Sequence, residues 1–386
     1  MRLLAGFVSM HISEFAGGFI LQLIDDSQFD HLFLKDIPLL DVRAPVEFSE
    51  GAFPRATNAP ILNDQERELI GICYKKKGQQ QAIELGHQLV HAEVKQQRVA
   101  LWQAFANENP QGVLYCFRGG MRSALSQQWL AEAGVEYPRI KGGYKALRNH
   151  LLKTIDQFCE QSTKMWVVCG RTGSGKTRVI HQVSHALDLE KYANHRGSAF
   201  GQRATAQPQQ INFENTLAIE ILKKTHQYHS ALLVEDESKL IGKNLLPPKL
   251  KHKIQEGNLL IIEESLASRI QVVIDEYVVD LSAEHRKQDP INGWSTYQNY
   301  LLESLQRIRK RLGEKLFKEL DSLMRNALEE QFASGETMLH GLWIEVLLTQ
   351  YYDKMYDYQL NLKQGKLLFK GTRLQIIEFV NECSGL

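Results

Sequence analysis

The chain has 386 residues, 43% of them hydrophobic, enough for two folded domains of ordinary size. Its 46 basic and 45 acidic side chains leave a formal net charge of +1, which excludes a global basic field and leaves only local patches for nucleic acid. Five scattered cysteines (73, 116, 159, 169 and 383) form no C-x-x-C pair and no metal-ligand spacing, which argues against a disulfide scaffold and suits a reducing compartment.

Leu3 to Met10 is apolar and follows Arg2, but so short a run is at the limit for a signal-peptide core. No small-residue cleavage site follows at Ser13-Glu14-Phe15, and Met10 is an alternative start. No apolar run approaches the ~18 residues of a membrane span, so a cytoplasmic protein is expected. Pro38 to Arg43 reads as a buried strand ending in charge, followed by a short helix from Pro45 and a turn at Gly51. A short strand is expected from Ala56 to Ala59. Asn63 to Arg67 is a capped helix start whose helix ends on Lys75-Lys76-Lys77 before Gly78, and a second helix is expected from Gln79 to Phe105. The lysine triplet either faces solvent or meets a phosphate backbone.

Gly112 to Tyr115 reads as a buried strand that ends on Cys116. Gly119 and Gly120 allow a tight turn, and helical periodicity resumes at Ser123. A cysteine on such a loop faces backbone N–H groups and a helix N-terminus, which favour a thiolate and hold an anion beside it. With Arg118 and Arg122 as further anion partners, Cys116 is read as a nucleophile rather than a structural thiol. Pro138 to Tyr144 closes this first segment. Strands alternating with helices imply an α/β domain with a parallel sheet over 15–144 and the cysteine at a strand's C-terminal end.

In this order the Asp41-Val42-Arg43 strand, the Gly51 turn, the Cys116 loop and Gly142-Gly143-Tyr144 resemble the rhodanese family. The resemblance implies that Cys116 carries sulfur or selenium as a persulfide or perselenide. Five residues separate Cys116 from Arg122, one more than in common rhodaneses, and this spacing also fits a phosphate-cradling phosphatase loop.

Residues 145–163 read as an amphipathic connecting helix with Leu147, Leu151, Leu152, Ile155 and Phe158 on one side. A strand from Lys164 to Cys169 then leads into Gly170-Arg171-Thr172-Gly173-Ser174-Gly175-Lys176-Thr177, a full P-loop pattern, with a helix expected from Arg178 to Leu187. Gly170, Gly173, Ser174 and Gly175 would surround a di- or triphosphate, Lys176 would reach its outer phosphates and Thr177 would bind Mg²⁺. Asp236, after the strand from Ala231, is the favoured acidic partner for that ion. The segments 259–264 and 272–276 are alternatives, each read otherwise as a core strand. His195, Arg196 and Ser198 fall in a polar, glycine-bearing loop suited to a substrate or tRNA contact, or to plain solvation. A helix is expected from Phe213 to Lys224. From Asn292 the tail is mostly helical, making 164–386 a P-loop α/β domain with a helical C-terminal part. Leu305, Ile308, Leu312 and Leu316 form an apolar stripe beside a basic side at Arg307, Arg309, Lys310, Arg311 and Lys315. The tyrosines of 351–358 either stack on bases or pack on the core.

The whole arrangement resembles the tRNA 2-selenouridine synthase family, also over 63–67, 71–75, 85–87, 115–123, 188–201, 237–242 and 351–359. The longer Cys116 loop belongs to that family's pattern. The resemblance implies a transferase that converts wobble 2-thiouridine in the tRNA anticodon to 2-selenouridine. Geranyl diphosphate would first alkylate the sulfur, and selenophosphate would then supply selenium. It implies tRNA as partner and the selenophosphate-producing enzyme as a further one; no tightly bound cofactor is expected, and Mg²⁺ is the candidate ion at the P-loop. The competing reading is a P-loop kinase or NTPase with a phosphatase-like or regulatory rhodanese domain; a third makes the first domain a binding module with an incidental cysteine.

Overall fold

The computed structural model describes residues 12–16, 19–363 and 365–384; the apolar stretch from Leu3 to Met10 lies outside them. The chain divides into two compact units, Met1–Ile155 and Asp156–Leu386.

In the first unit, six strands form one sheet: β1 (Ile12–Ala16), β2 (Phe19–Ile24), β3 (Leu39–Asp41), β4 (Ala56–Asn58), β5 (Val113–Tyr115) and β6 (Arg139–Ile140). Their order is β1-β2-β6-β5-β3-β4, with β1 and β2 antiparallel and all other neighbours parallel. Every residue of β3 and β5 is buried, as expected of parallel strands covered on both faces. Because Asp41 lies opposite Tyr115, Arg43 and Cys116 leave the sheet at the same edge. Beneath them Leu40, Leu114 and Leu130 pack with Trp102 and Trp129, whose rings stack at 6.2 Å.

The helix expected over 79–105 is two helices, Gln79–Leu89 and Ala92–Glu108. Val90 turns into the core with ψ 63°, and His91 caps the next helix with extended ψ 173°; both leave helical space. The helix Asp64–Lys77 is closed by the reciprocal bonds of a capping box: Asn63 Oδ1 accepts from Glu66 N at 2.9 Å, and Asn63 N donates to Glu66 Oε2 at 2.8 Å. No residue of that helix is buried. Along the helix Gly143–Glu160, Leu147, Leu151, Ile155 and Phe158 are buried, whereas Leu152 is 40% exposed, rotated off the stripe by one 100° step.

The second unit has a five-stranded, wholly parallel sheet of β7 (Lys164–Gly170), β8 (Ala186–Leu187), β9 (Ala231–Glu235), β12 (Asn258–Ile262) and β13 (Leu367–Gly371), ordered β13-β12-β7-β9-β8. A small hairpin, β10 (Leu240–Ile241) and β11 (Asn244–Leu245), stands apart from it. The P-loop helix is Lys176–Gln182 and stops short of Leu187. Val183 is extended (φ −116°, ψ 118°), and Ala186 and Leu187 join the sheet beside Leu233 and Val234. The segment 272–276 is helical, passing from Leu266–Val273 into a π-helical stretch, Ile274–Asp280.

The tail is mostly helical, but Leu367–Gly371 returns to the sheet as β13, and Phe369 stacks on Phe379 at 4.8 Å. Gly313, at φ +80°, divides the long tail helix into Gly293–Leu312 and Glu314–Ser334. Leu305 and Ile308 are buried, with Leu312 and Leu316 packed against the same core. Part of the basic side is engaged internally: Arg309 pairs with Glu314 at 2.8 Å, and Arg307 donates to Ser304 Oγ at 2.6 Å. Tyr352 is buried, while Tyr358 is exposed. Among the described residues no helix is long and apolar enough to cross a membrane.

Candidate functional site

Cys116 follows β5 directly and is buried, with its Sγ donating to Ser123 Oγ at 3.1 Å. Ser123 in turn donates to Gly120 O at 3.1 Å, so the thiol, the loop and the first turn of the helix Met121–Glu132 are tied together. The loop's carbonyls point outward: Cys116 O accepts from Tyr144 N at 2.8 Å, Phe117 O from Lys145 N at 3.0 Å and Gly119 O from Arg139 Nη1 at 3.0 Å. The amide N–H groups of residues 117–120 donate to nothing among the described residues. Undonated N–H groups on a loop beside a thiol are suited to an anion.

Glycine is required at two points of this arrangement. Gly119 has φ +64°, and a Cβ there would lie 2.5 Å from Gly142 N. Gly143 has φ +58°, and a Cβ there would meet Cys116 O and Gly119 N. The two segments therefore touch backbone to backbone.

The two arginines differ. Arg122 is held by Glu47, with Nη1–Oε2 at 2.5 Å and Nη2–Oε1 at 3.0 Å. Burial works against the Arg122 charge, but the Glu47 hydrogen bond and charge outweigh it and raise its pKa. Burial likewise works to raise the Glu47 carboxyl, yet Arg122, Ala44 N–H and Arg67 leave it below the usual carboxylate range. Arg118 is exposed, makes no ion pair among the described residues and lies over the Phe117 ring at 5.8 Å. Glu47 was not legible as a site residue; it sits 75 positions from Arg122 on another helix. The Asp41–Arg43 pair is structural: Arg43 is bidentate on Asp41, donates to Gly51 O at 2.7 Å and lies 3.9 Å from the Tyr144 ring centroid.

In the second unit the P-loop leaves β7 with Gly173 at φ +78° and Gly175 at φ +77°. A Cβ on Gly170 would strike Ser174 Oγ, and one on Gly173 would meet Arg269 O at 2.7 Å. Arg269 braces the loop by donating to Thr172 O at 2.9 Å while paired with Asp353 at 2.5 Å. Lys176 Nζ donates to Gly170 O at 3.2 Å, folded back over the loop, and Ser174 Oγ is buried without a partner among the described residues.

The carboxylate beside Thr177 is Glu190, not Asp236. Thr177 Oγ1 donates to Glu190 Oε2 at 3.0 Å, whereas Asp236 is paired with Lys363 at 2.5 Å. Glu237 adjoins Glu190, and burial pushes both carboxyls up, with their mutual proximity adding to the shift of Glu237. Gly197, at φ +56°, packs against both: a Cβ there would lie 2.6 Å from Glu237 Oε2 and 2.9 Å from Glu190 Oε1. The loop of His195, Arg196 and Ser198 is thereby brought to the P-loop. Ser198 Oγ donates to Tyr277 Oη at 3.2 Å, and Arg196 is buried and reaches Glu284 at 3.4 Å. Burial, then Arg196 and Arg307, lowers His195 to about 4. His195 Nδ1 and Arg196 Nη1 are buried with no hydrogen-bond partner among the described residues. Glu190 and Glu237 each begin or lie within a segment already marked by its motif (188–201 and 237–242), so position flagged them although their role did not.

Two family models match the chain: a rhodanese-like domain over residues 22–150 and the tRNA 2-selenouridine synthase AAA domain over residues 163–385. The chain belongs to the tRNA 2-selenouridine synthase family. It is 50% identical to the tRNA 2-selenouridine synthase of Marinobacter nauticus, over 92% of this chain and 97% of that protein. The enzyme of the same name from Pseudomonas fluorescens is 46% identical over 94% and 99%, and that from Shewanella frigidimarina 46% over 94% and 99%. Family membership thus spans both units and covers the Cys116 loop and the P-loop alike.

Proposed function

We propose that this protein is a cytoplasmic transferase that replaces sulfur by selenium at the wobble 2-thiouridine of tRNA through a geranylated intermediate. Geranyl diphosphate and selenophosphate are its substrates, and the enzyme that makes selenophosphate is its natural supplier. One observation carries the reading: a single chain of this family pairs a buried thiol on a loop of unspent N–H groups with a P-loop.

In the first step the uridine sulfur attacks C1 of geranyl diphosphate. An S–C bond forms, the C–O bond breaks, diphosphate leaves and the N3 proton passes to solvent. The N–H groups of 170–177 and Lys176 hold the diphosphate and stabilise it as it departs. Thr177 and Glu190 would hold a Mg²⁺ ion, which would supply positive charge against the diphosphate. Asp236, neutralised by Lys363, does not fit this role. His195, Arg196 and Ser198 stand on the loop that packs on Glu190 and Glu237 as candidate substrate contacts, with Arg196 Nη1 and His195 Nδ1 buried and holding unused hydrogen-bonding capacity.

In the second step the Cys116 thiolate adds to C2 of the geranylated uridine, and geranylthiol leaves with a proton. Selenophosphate selenium then displaces Cys116, and water cleaves the Se–P bond to release phosphate. Selenium in selenophosphate is already fully reduced. Loading it on Cys116 as a perselenide would need an oxidant, whereas addition to C2 needs none. Arg118, Arg122, the N–H groups of Gly119 and Gly120, and Ser123 would hold the phosphate group and the thiolate.

The test is reconstitution with 2-thiouridine tRNA, followed by nucleoside mass spectrometry. Geranyl diphosphate alone should yield geranylated uridine, and added selenophosphate should convert it to selenouridine. Lys176→Ala should lose the first product, and Cys116→Ser should keep the first and lose the second. If isothermal titration shows Lys176→Ala binding geranyl diphosphate as tightly as wild type, the assignment to the P-loop fails. Turnover of ATP without tRNA, with neither nucleoside formed, would favour an NTPase instead.

A further inference from the structure

The first unit contains a cavity of about 330 Å³ that no step above has used. Its walls include Ile61, Leu62, Ile70, Ile83, Leu125 and Trp129. Several of these belong to the same apolar cluster as Cys116, and Trp129 is stacked on Trp102 behind it. Met121 and Arg122, the residues that follow the loop of Gly119 and Gly120, form one end of the cavity. The anion-binding loop and the apolar cavity are thus neighbours along one stretch of backbone, with the Arg122 side chain fixed between them by Glu47.

The opposite wall is loosely built. The helix Asp64–Lys77 buries none of its residues, yet places Ile70 and Tyr74, one helical turn apart, on the cavity. It is joined to Gln79–Leu89 through Gly78 at φ +89°, and Gly86 of that second helix faces Ile70: a Cβ there would lie 3.6 Å from Ile70 Cδ1. Ile70 reaches the core, but Leu69, Ile72 and Tyr74 of the same helix are exposed, so its apolar residues are only partly covered in the absence of an occupant.

The chemistry of the walls narrows the occupant. The cavity contains no carboxylate, and its lining is mostly apolar, with polar side-chain atoms only on Tyr74, Gln79, His87, Arg122 and Trp129. A nucleobase or phosphate would be left without the several polar partners such groups need, whereas a hydrocarbon would not. The volume lies at the lower end of small-molecule sites, ~300–1,000 Å³, as befits a single short chain. On the proposed reaction, the one hydrocarbon that comes to the Cys116 loop is the group carried on the uridine sulfur.

We propose that this cavity binds the geranyl chain of S-geranyl-2-thiouridine during the selenium step, so that the chain is seated beside Cys116 as its sulfur leaves. The inference rests on the geranylated intermediate of the proposed function. It also divides labour: the P-loop grips the diphosphate of the geranyl donor, and the first unit recognises the geranyl group once it is on tRNA.

The test uses the full chain and two anticodon stem-loop RNAs, one with S-geranyl-2-thiouridine and one with S-methyl-2-thiouridine. Burial of even two methylenes is worth about tenfold in affinity. Wild type should therefore bind the geranyl RNA at least tenfold more tightly. Leu125→Trp, which fills the cavity, and Ile83→Gln, which makes its wall polar, should each bring that ratio close to one. Hydrogen exchange of the wild type provides a readout independent of any variant: amides of 64–77 should gain protection with the geranyl RNA and not with the methyl RNA. If wild type prefers the geranyl RNA while both variants keep the ratio and 64–77 gains no protection, the cavity is not the site and the proposed function stands. If wild type neither prefers the geranyl RNA nor converts it to selenouridine, the proposed function itself fails.

Discussion

Replacing Glu47 by Gln tests how the Cys116 loop holds its arginine. Glu47 accepts two hydrogen bonds from Arg122, at 2.5 and 3.0 Å, in a site where Glu47 is 9% and Arg122 26% exposed. Removing one partner of a fully buried pair costs ~3–5 kcal/mol, because the other charge stays buried and unpaired. Water still reaches part of Arg122, so about 2–3 kcal/mol is expected here. For a unit of this size that corresponds to a Tm lower by roughly 4–12 °C. The sign with pH follows from the depressed Glu47 value. Its stabilisation is fully present above the unfolded carboxylate pKa of ~4.3 and is lost as pH falls through the folded value. Calorimetry of the full chain should show the gap between wild type and Glu47→Gln at pH 7, closing below about pH 4. Equal Tm values at pH 7, or a gap that persists undiminished to pH 3, would refute the reasoning.

Gly143→Ala must adopt φ +58° and set its methyl against Cys116 O and Gly119 N, so selenouridine formation should be lost and the Tm lowered by nucleoside analysis and calorimetry respectively. Glu235→Gln should raise the Tm at pH 8. Glu235 is fully buried, and burial with the nearby Asp188, Glu190 and Glu237 charges raises its pKa well above the usual value. Its contribution to stability is therefore full below the unfolded pKa of ~4.3 and is lost as pH rises, so the gain from Gln should shrink toward pH 4. For Mg²⁺ titrated in the presence of geranyl diphosphate, Glu190→Gln should weaken binding at least tenfold and Asp236→Asn should leave it within twofold; the reverse order would return the role to Asp236.

Much of the architecture was legible because strong local patterns coincide with it. The buried runs at β3, β5 and β7 each end on a chemically marked residue, and Gly119, Gly173 and Gly175 lie where positive φ is needed, whereas Gly120 has φ −91° and open space around it. What escaped was decided at a distance. The break at Val90 comes from its burial, the end of the P-loop helix from a strand position beside β9, and β13 from pairing with β12 more than 100 residues away. The same holds for the sites. Cys116, Ser123, Arg122 and the P-loop lie within short motifs, but the groups that orient them (Glu47 for Arg122, Glu190 for Thr177, Arg269 for the P-loop) reach them through the fold. A Cys-x5-Arg spacing points to an anion site and leaves open which carboxylate fixes its arginine.

The central claim is that Cys116 performs the selenium step on tRNA, and bulk tRNA from selenium-fed cells tests it most directly. Cells lacking this gene should contain no 2-selenouridine by nucleoside mass spectrometry. A wild-type copy should restore it, and a Cys116→Ser copy should restore geranylated 2-thiouridine alone. Selenouridine at wild-type level with the Cys116→Ser copy, or in cells without the gene, would contradict the account.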